Sequence, residues 1–284
     1  MIATIPKPAR KAAVDRPVMA SLLSRPPPAV MGVLNITPDS FSDGGKFSSP
    51  ESAFTQARRM IAEGADSIDI GAESTRPYGA QPVSAEEEVQ RLQPVLADVI
   101  ALGVPVSIDS MKSAVTAWAL SAGALIANDV WGLQRDPNMA KVVAEHRACV
   151  IVMHNREGAD ASIDIMQDIM AFFQRSLEIA AKVGIPESHI VLDPGIGFGK
   201  TAEQSMTVLA RLDELGSFDL PLLIGASRKR FISTIMPSEP HQRLGGSIAA
   251  HLLAAKAGAK IIRTHDVAET VQALRVAAAI EDKR

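Results

Sequence analysis

The sequence predicts a single (β/α)8 barrel of the TIM type, and three observations predict it. The chain has 284 residues, room for one barrel of about 250 residues and a short lead-in. From residue 29 onward, short runs rich in Val and Ile alternate eight times with longer amphipathic segments, with no shift of composition between units. Each apolar run also terminates in hydrogen-bonding or charged residues, the position where a barrel of this kind carries its chemistry. The expected organisation is a short, disordered or irregular extension over residues 1–28 and one barrel domain over 29–284.

In order, the predicted strands are 30–36, 67–71, 104–108, 125–128, 149–153, 190–192, 222–225 and 260–263, with Val and Ile setting the β character. The predicted helices are 52–63, 85–102, 113–122, 138–146, 163–183, 202–215, 246–257 and 267–280, where apolar residues recur every three to four positions. Gly64, Gly103, Gly123, Gly184 and Gly258 stand just past five of these, as left-handed helix caps. An open doubly wound sheet would need a nucleotide fingerprint, and Gly195-Ile-Gly-Phe-Gly-Lys-Thr201 misses both candidates. A Walker loop requires glycine where Pro194 stands, and a dinucleotide turn requires it where Lys200 stands.

Hydrophobic residues make up 47% of the chain and charged residues 21%, so a packed core is expected. A net charge of -3 with dispersed Lys and Arg gives no field to hold a phosphate backbone, and nucleic acid is not an expected partner. No run approaches the roughly 18 apolar residues of a membrane span. Cys149 rules out an internal disulfide, and within Cys149-Val-Ile-Val-Met153 it reads as a buried thiol before a catalytic one. Lys7, Arg10, Lys11, Arg16 and Arg25 face one acid, Asp15, in the extension. It reads as a disordered tail ahead of a transit peptide, and the expected location is cytoplasmic.

The strand ends carry Asn35, Glu73, Asp109, Asn128 with Asp129, His154, Asp193, Ser227 with Lys229, and Arg263 with His265. Each alone reads first as a helix cap or turn former, but eight together are expected to converge on one pocket. Asp109, Asn128, Asp193 and Lys229 suit the edge of a flat amino-pyrimidinone heterocycle, where a carboxylate accepts paired N–H groups. Asn35, Thr75, Arg76, Arg263 and His265 suit phosphoryl oxygens, with Asn35 an oxygen ligand for Mg2+. Met153 and Phe198 read either as covers for the ring faces or as core filler.

These residues lie in stretches that resemble the dihydropteroate synthase family from residue 30 to about 280. The stretches are Met31-Gly-Val-Leu-Asn-Ile-Thr-Pro-Asp-Ser-Phe-Ser-Asp-Gly-Gly45, Asp69-Ile-Gly-Ala-Glu-Ser-Thr-Arg-Pro77, Asp193-Pro-Gly-Ile-Gly-Phe-Gly-Lys200, Ser227-Arg-Lys229 and Arg263-Thr-His-Asp266. The resemblance implies a transferase of the alkyl, non-methyl class. It joins 6-hydroxymethyl-7,8-dihydropterin diphosphate to p-aminobenzoate, releases diphosphate, and uses Mg2+ as cofactor. It also implies pterin contacts at Asp109, Asn128, Met153, Asp193, Phe198, Lys229 and Arg263, and Mg2+ at Asn35. Diphosphate and p-aminobenzoate contacts fall to Thr75, Arg76, Pro77, Arg263 and His265, and catalytic roles to Asp43, Lys229 and Arg263. A homodimer and sulfonamide sensitivity belong to the same expectation.

The chain departs from the family pattern in three places: Arg230 stands where a serine is common, Asn155 where a methionine is, and Trp131-Gly132 where smaller residues are. Two alternatives are a methyltransferase acting on methyltetrahydrofolate, which has no use for a diphosphate site, and a pterin-binding paralogue without turnover. The latter is expected to lack Asn35, Asp43, Lys229 or Arg263, and all four are present.

Overall fold

The computed structural model describes residues 18–24, 27–36, 50–73 and 83–284. Eight parallel strands form one sheet: β1 (Ala29–Asn35), β2 (Ser67–Gly71), β3 (Val106–Asp109), β4 (Ile126–Asp129), β5 (Cys149–Met153), β6 (Ile190–Asp193), β7 (Leu223–Ile224) and β8 (Ile261–Thr264). Their order is β6-β5-β4-β3-β2-β1-β8-β7, and a single parallel bridge between Leu192 and Leu222 closes the ring. This is the expected (β/α)8 barrel. All eight strands fall within two residues of their predicted positions.

Between the strands run α2 (Pro50–Ala62), α3 (Ala85–Ala101), α4 (Ser113–Ala122), α5 (Met139–Glu145), α6 (Ile165–Val183), α7 (Ala202–Ala210), α8 (Arg230–Ile235), α9 (Leu244–Lys256) and α10 (Val267–Glu281). Local chemistry sets their ends. Ser84 accepts from the Glu87 N–H, Asp164 accepts from Met166 and Gln167, and Thr201 forms a capping box with Gln204. The five predicted cap glycines all take positive φ. Two differences from the expected helices stand out. The segment 202–215 divides at Arg211 into α7 and a 3-10 turn (Leu212–Phe218), and α8 was not foreseen.

Alternation along the strands divides the core in two. Val30, Leu34, Ile68, Ile70, Val150, Val152 and Ile262 pack outward against helix residues such as Met60, Leu92, Val115 and Phe173. Ala29, Met31, Ile126, Cys149, Ile151, Val191, Leu223 and Ile261 point inward and fill the lower barrel. A further helix, α1 (Val18–Leu23), places Val18, Met19 and Leu22 in this inner cluster. That stretch was expected to belong to an irregular extension; it folds because three apolar side chains at helical spacing find an apolar floor to cover. Burial pushes the Cys149 thiol up to about 11 against a hydrogen bond from Met19, which bears out the buried, unreactive reading.

Candidate active site

Above the apolar floor the inward positions turn polar. Ser67 and Asp69 on β2, Ser107 and Asp109 on β3, Asn128 on β4, Asp193 on β6 and Arg263 on β8 follow the same alternation one or two steps nearer the carboxyl rim. Arg263 Nε donates to Asp69 Oδ2 at 2.6 Å, and its Nη2 donates to Asp109 Oδ2 at 2.8 Å. Asn128 Nδ2 donates to the same Asp69 oxygen at 3.0 Å. Asp69 therefore fixes both Arg263 and Asn128.

The space above this layer is a narrow pocket lined by Asp109, Asn128, Met153, Asp193, Phe198, Lys229 and Arg263, with Val130, Gly195, Ile196 and Gly225. Asp109 Oδ1 and Asn128 Oδ1 are buried and accept no hydrogen bond among the described residues. Such acceptors carry a desolvation cost of about 1 to 3 kcal/mol each until a donor arrives. Burial and the charge of Asp69 push the Asp109 carboxyl up to about 7, with Arg263 opposing. Burial also raises Asp193, against the Gly195 N–H that donates to Oδ1 at 2.7 Å and against Lys229 and Arg263. Burial works against the charge of Arg263, but Asp69 and Asp109 outweigh it and hold the guanidinium above its ordinary value. Lys229 Nζ stands 4.0 Å from the centre of the Phe198 ring, a cation on an aromatic face.

All seven residues expected at the heterocycle thus share one pocket. Asn35 and His265 are not in its lining; Asn35 ends β1 in register with Gly71 of β2, and His265 directly follows β8, two residues after Arg263. His265 is held by Ser227, whose Oγ accepts from the His265 backbone N–H at 3.2 Å and lies 3.0 Å from Nδ1. Asp43, Thr75, Arg76 and Pro77 lie outside the described residues.

Three strand-end groups expected to converge on the pocket do not: Glu73 after β2 accepts from the Val83 N–H at 3.2 Å and pairs with Lys112, and Asp129 and His154 also turn away from it. Asp129 accepts from the N–H groups of Trp131 and Leu133 and caps its own turn, with burial raising its carboxyl to about 6. His154 bonds Asp168 through Nε2 at 3.0 Å, and burial pulls its imidazole down to about 3, with Lys200 adding to the effect. Asp129 and His154 each follow an inward residue by one position, so the pleat turns them outward. Conversely, the sequence reading assigned no role to Asp69.

The fold and the site define a pterin-binding enzyme on a barrel, and residues 31–265 match the family described as pterin binding enzyme. A curated dihydropteroate synthase from Bacillus subtilis (strain 168) is 43% identical over 255 residues, spanning 89% of each chain. A solved Xanthomonas albilineans dihydropteroate synthase with 4-aminobenzoic acid superposes with a TM-score of 0.86 at 43% identity, over 90% of this chain and 94% of that one. A Yersinia pestis dihydropteroate synthase in complex with a sulfonamide drug gives a TM-score of 0.85 at 42% identity, over 92% and 96%. The chain belongs to the dihydropteroate synthase family.

Proposed function

We propose that the chain condenses 6-hydroxymethyl-7,8-dihydropterin diphosphate with p-aminobenzoate to give 7,8-dihydropteroate and diphosphate, an alkyl transfer to an amine. The observation that carries this reading is the polar layer of the pocket. The unpaired oxygens of Asp109 and Asn128, with the Asp193 carboxyl, face a slot walled by Met153 and Phe198, a complement to the N–H edge and faces of a pterin. A ligand without those donors leaves the oxygens unpaired, which is a basis for strong discrimination.

In the reaction the bond from the pterin methylene carbon to the diphosphate oxygen breaks, and the amine nitrogen of p-aminobenzoate bonds to that carbon and loses a proton. The electron-rich dihydropterin spreads the positive charge, so the protein mainly supplies placement and fixed charge. Lys229 and Arg263 supply cations at the pocket, and His265 stands next to the strand that carries Arg263. Asn35 offers a hard amide oxygen at the end of β1, a donor type that suits Mg2+, which would neutralise charge on the leaving diphosphate. Arg230 heads α8 directly after Lys229 and offers a cation for the p-aminobenzoate carboxylate in place of the usual serine.

Leu253 on α9 and Val276 and Ile280 on α10 are 63%, 54% and 61% exposed, on two helices that pack together. We assign this apolar face to a second copy of the chain, giving a homodimer. Among the described residues no helix is long and apolar enough to cross a membrane. A single free thiol requires no oxidising compartment, which supports a cytoplasmic location.

The deciding experiment is a coupled assay of diphosphate release from the pterin substrate. Release is expected only with p-aminobenzoate and Mg2+ both present, and no turnover with both would overturn the synthase reading. Methyl transfer from methyltetrahydrofolate would favour the other enzyme of this fold.

A further inference from the structure

Lys200 lies outside the pocket lining, yet its buried amine is enclosed by three acceptors. Nζ is 2.6 Å from His154 Nδ1, 3.0 Å from the Gly195 carbonyl oxygen and 3.2 Å from the Phe198 carbonyl oxygen. The His154 ring is oriented from its far side. With Nε2–H donating to Asp168 Oδ2, Nδ1 presents a lone pair to Lys200. An ammonium has three N–H donors, and each finds one acceptor. Around it stand Asp193 at the end of β6, Asp168 on α6, Arg156 after β5 and Lys229 before α8. Burial pulls the amine down to about 7, with Asp193 and Asp168 holding it up.

The segment that Lys200 grips is seated directly on the chain after β5. Gly195 has a φ of +66°, and a Cβ there would lie 2.0 Å from the His154 carbonyl oxygen. Gly199 has a φ of +54°, and its Cβ would meet Arg156 at 2.5 Å. Between these two close approaches the chain carries Ile196 and Phe198 into the pocket wall, and the Gly195 N–H pins Asp193. The lysine therefore closes, from behind, the turn whose front face is the ring slot.

Resting on the pterin reading above, we propose that Lys200 is a positioning residue for the pterin subsite: it acts through Phe198, Ile196 and Asp193, and sets pterin affinity without touching the substrate. Lys200→Met keeps an unbranched apolar stem, one atom shorter, and removes all three donors. The pterin Kd by calorimetry, and the KM for pterin diphosphate, are expected to rise about tenfold, while kcat and the KM for p-aminobenzoate stay within about twofold. Lys200→Gln retains two N–H donors and is expected to recover part of the loss.

A purely structural role would lower the active fraction, and with it kcat, and leave both KM values alone. Equal pterin affinity in wild type and Lys200→Met, or a fall of kcat with unchanged KM, overturns the proposal while the wild-type chain still binds pterin. A wild-type chain that binds no pterin overturns the pterin reading itself and this inference with it. If Lys200→Met does not fold, Lys200→Gln decides, and unchanged pterin affinity there has the same force.

Discussion

Arg263 on β8 donates from Nη2 to Asp109 Oδ2 across the top of the barrel at 2.8 Å, which turns the other Asp109 oxygen to the pocket without a protein donor among the described residues. In free protein the carboxyl titrates at about 7, because burial and Asp69 disfavour its charge. A ligand that brings N–H donors favours the charged form, so the proton must leave on binding. Pterin affinity is expected to rise with pH up to about 7 and then level off. Calorimetry near pH 6 in buffers of different ionisation enthalpy should show release of most of one proton, and Asp109→Asn should abolish it. The linkage to folding has the opposite sign. Between the ordinary value of 3.8 and about 7 the native chain holds a proton that the unfolded chain has lost, so this group's contribution to stability falls as pH rises through that window.

Asp69 is fully buried and accepts from both Arg263 and Asn128 through one oxygen. Asp69→Ala leaves the guanidinium without its shorter ion pair, and a loss of about 3 to 5 kcal/mol in urea unfolding is expected. Asp69→Asn keeps the shape and loses the charge. Its fold should survive with kcat/KM for pterin diphosphate reduced, and unchanged kinetics would show that Arg263 is oriented by other contacts.

Asp193→Asn tests the pterin edge directly. The Gly195 N–H still finds an oxygen, so the turn is retained, but the charge-assisted acceptor is lost. Pterin binding should weaken by about 1 to 3 kcal/mol in calorimetry.

Met19 on α1 is 2% exposed in the apolar cluster that fills the lower barrel. Met19→Ala is expected to cost about 2 to 5 kcal/mol of unfolding free energy with both KM values unchanged. A shift in pterin KM would mean that the floor and the rim are mechanically linked.

Val276→Glu places a charge in the exposed α9–α10 face. Sedimentation should show a shift from dimer to monomer with the circular dichroism spectrum retained. A wild-type chain that sediments as a monomer would remove the dimer assignment.

Much of this molecule was legible in the letters because a barrel repeats one simple unit. Val and Ile runs marked all eight strands, and the polar group after each run marked the rim. What escaped was information that depends on parity or on distant partners. Asp129 and His154 were grouped with Asn128 and Met153 because proximity in sequence hides the one-residue step that sends them to the other side of the sheet. Asp69 escaped because its role exists only once Arg263, 194 positions away, is beside it. The helix α1 escaped because six residues carry too little periodicity to announce a helix without the floor they cover.

The single bridge between Leu192 and Leu222 makes the barrel unequal around its circumference. On one side of that seam stands the two-residue strand β7, followed by Gly225 and Lys229; on the opposite flank Asp109 and Asn128 sit on fully laddered strands. Amide exchange should therefore be fastest along 221–229 and slowest across β2 to β4, so that the cavity breathes from its lysine side while the acceptors that read the ring edge keep their spacing.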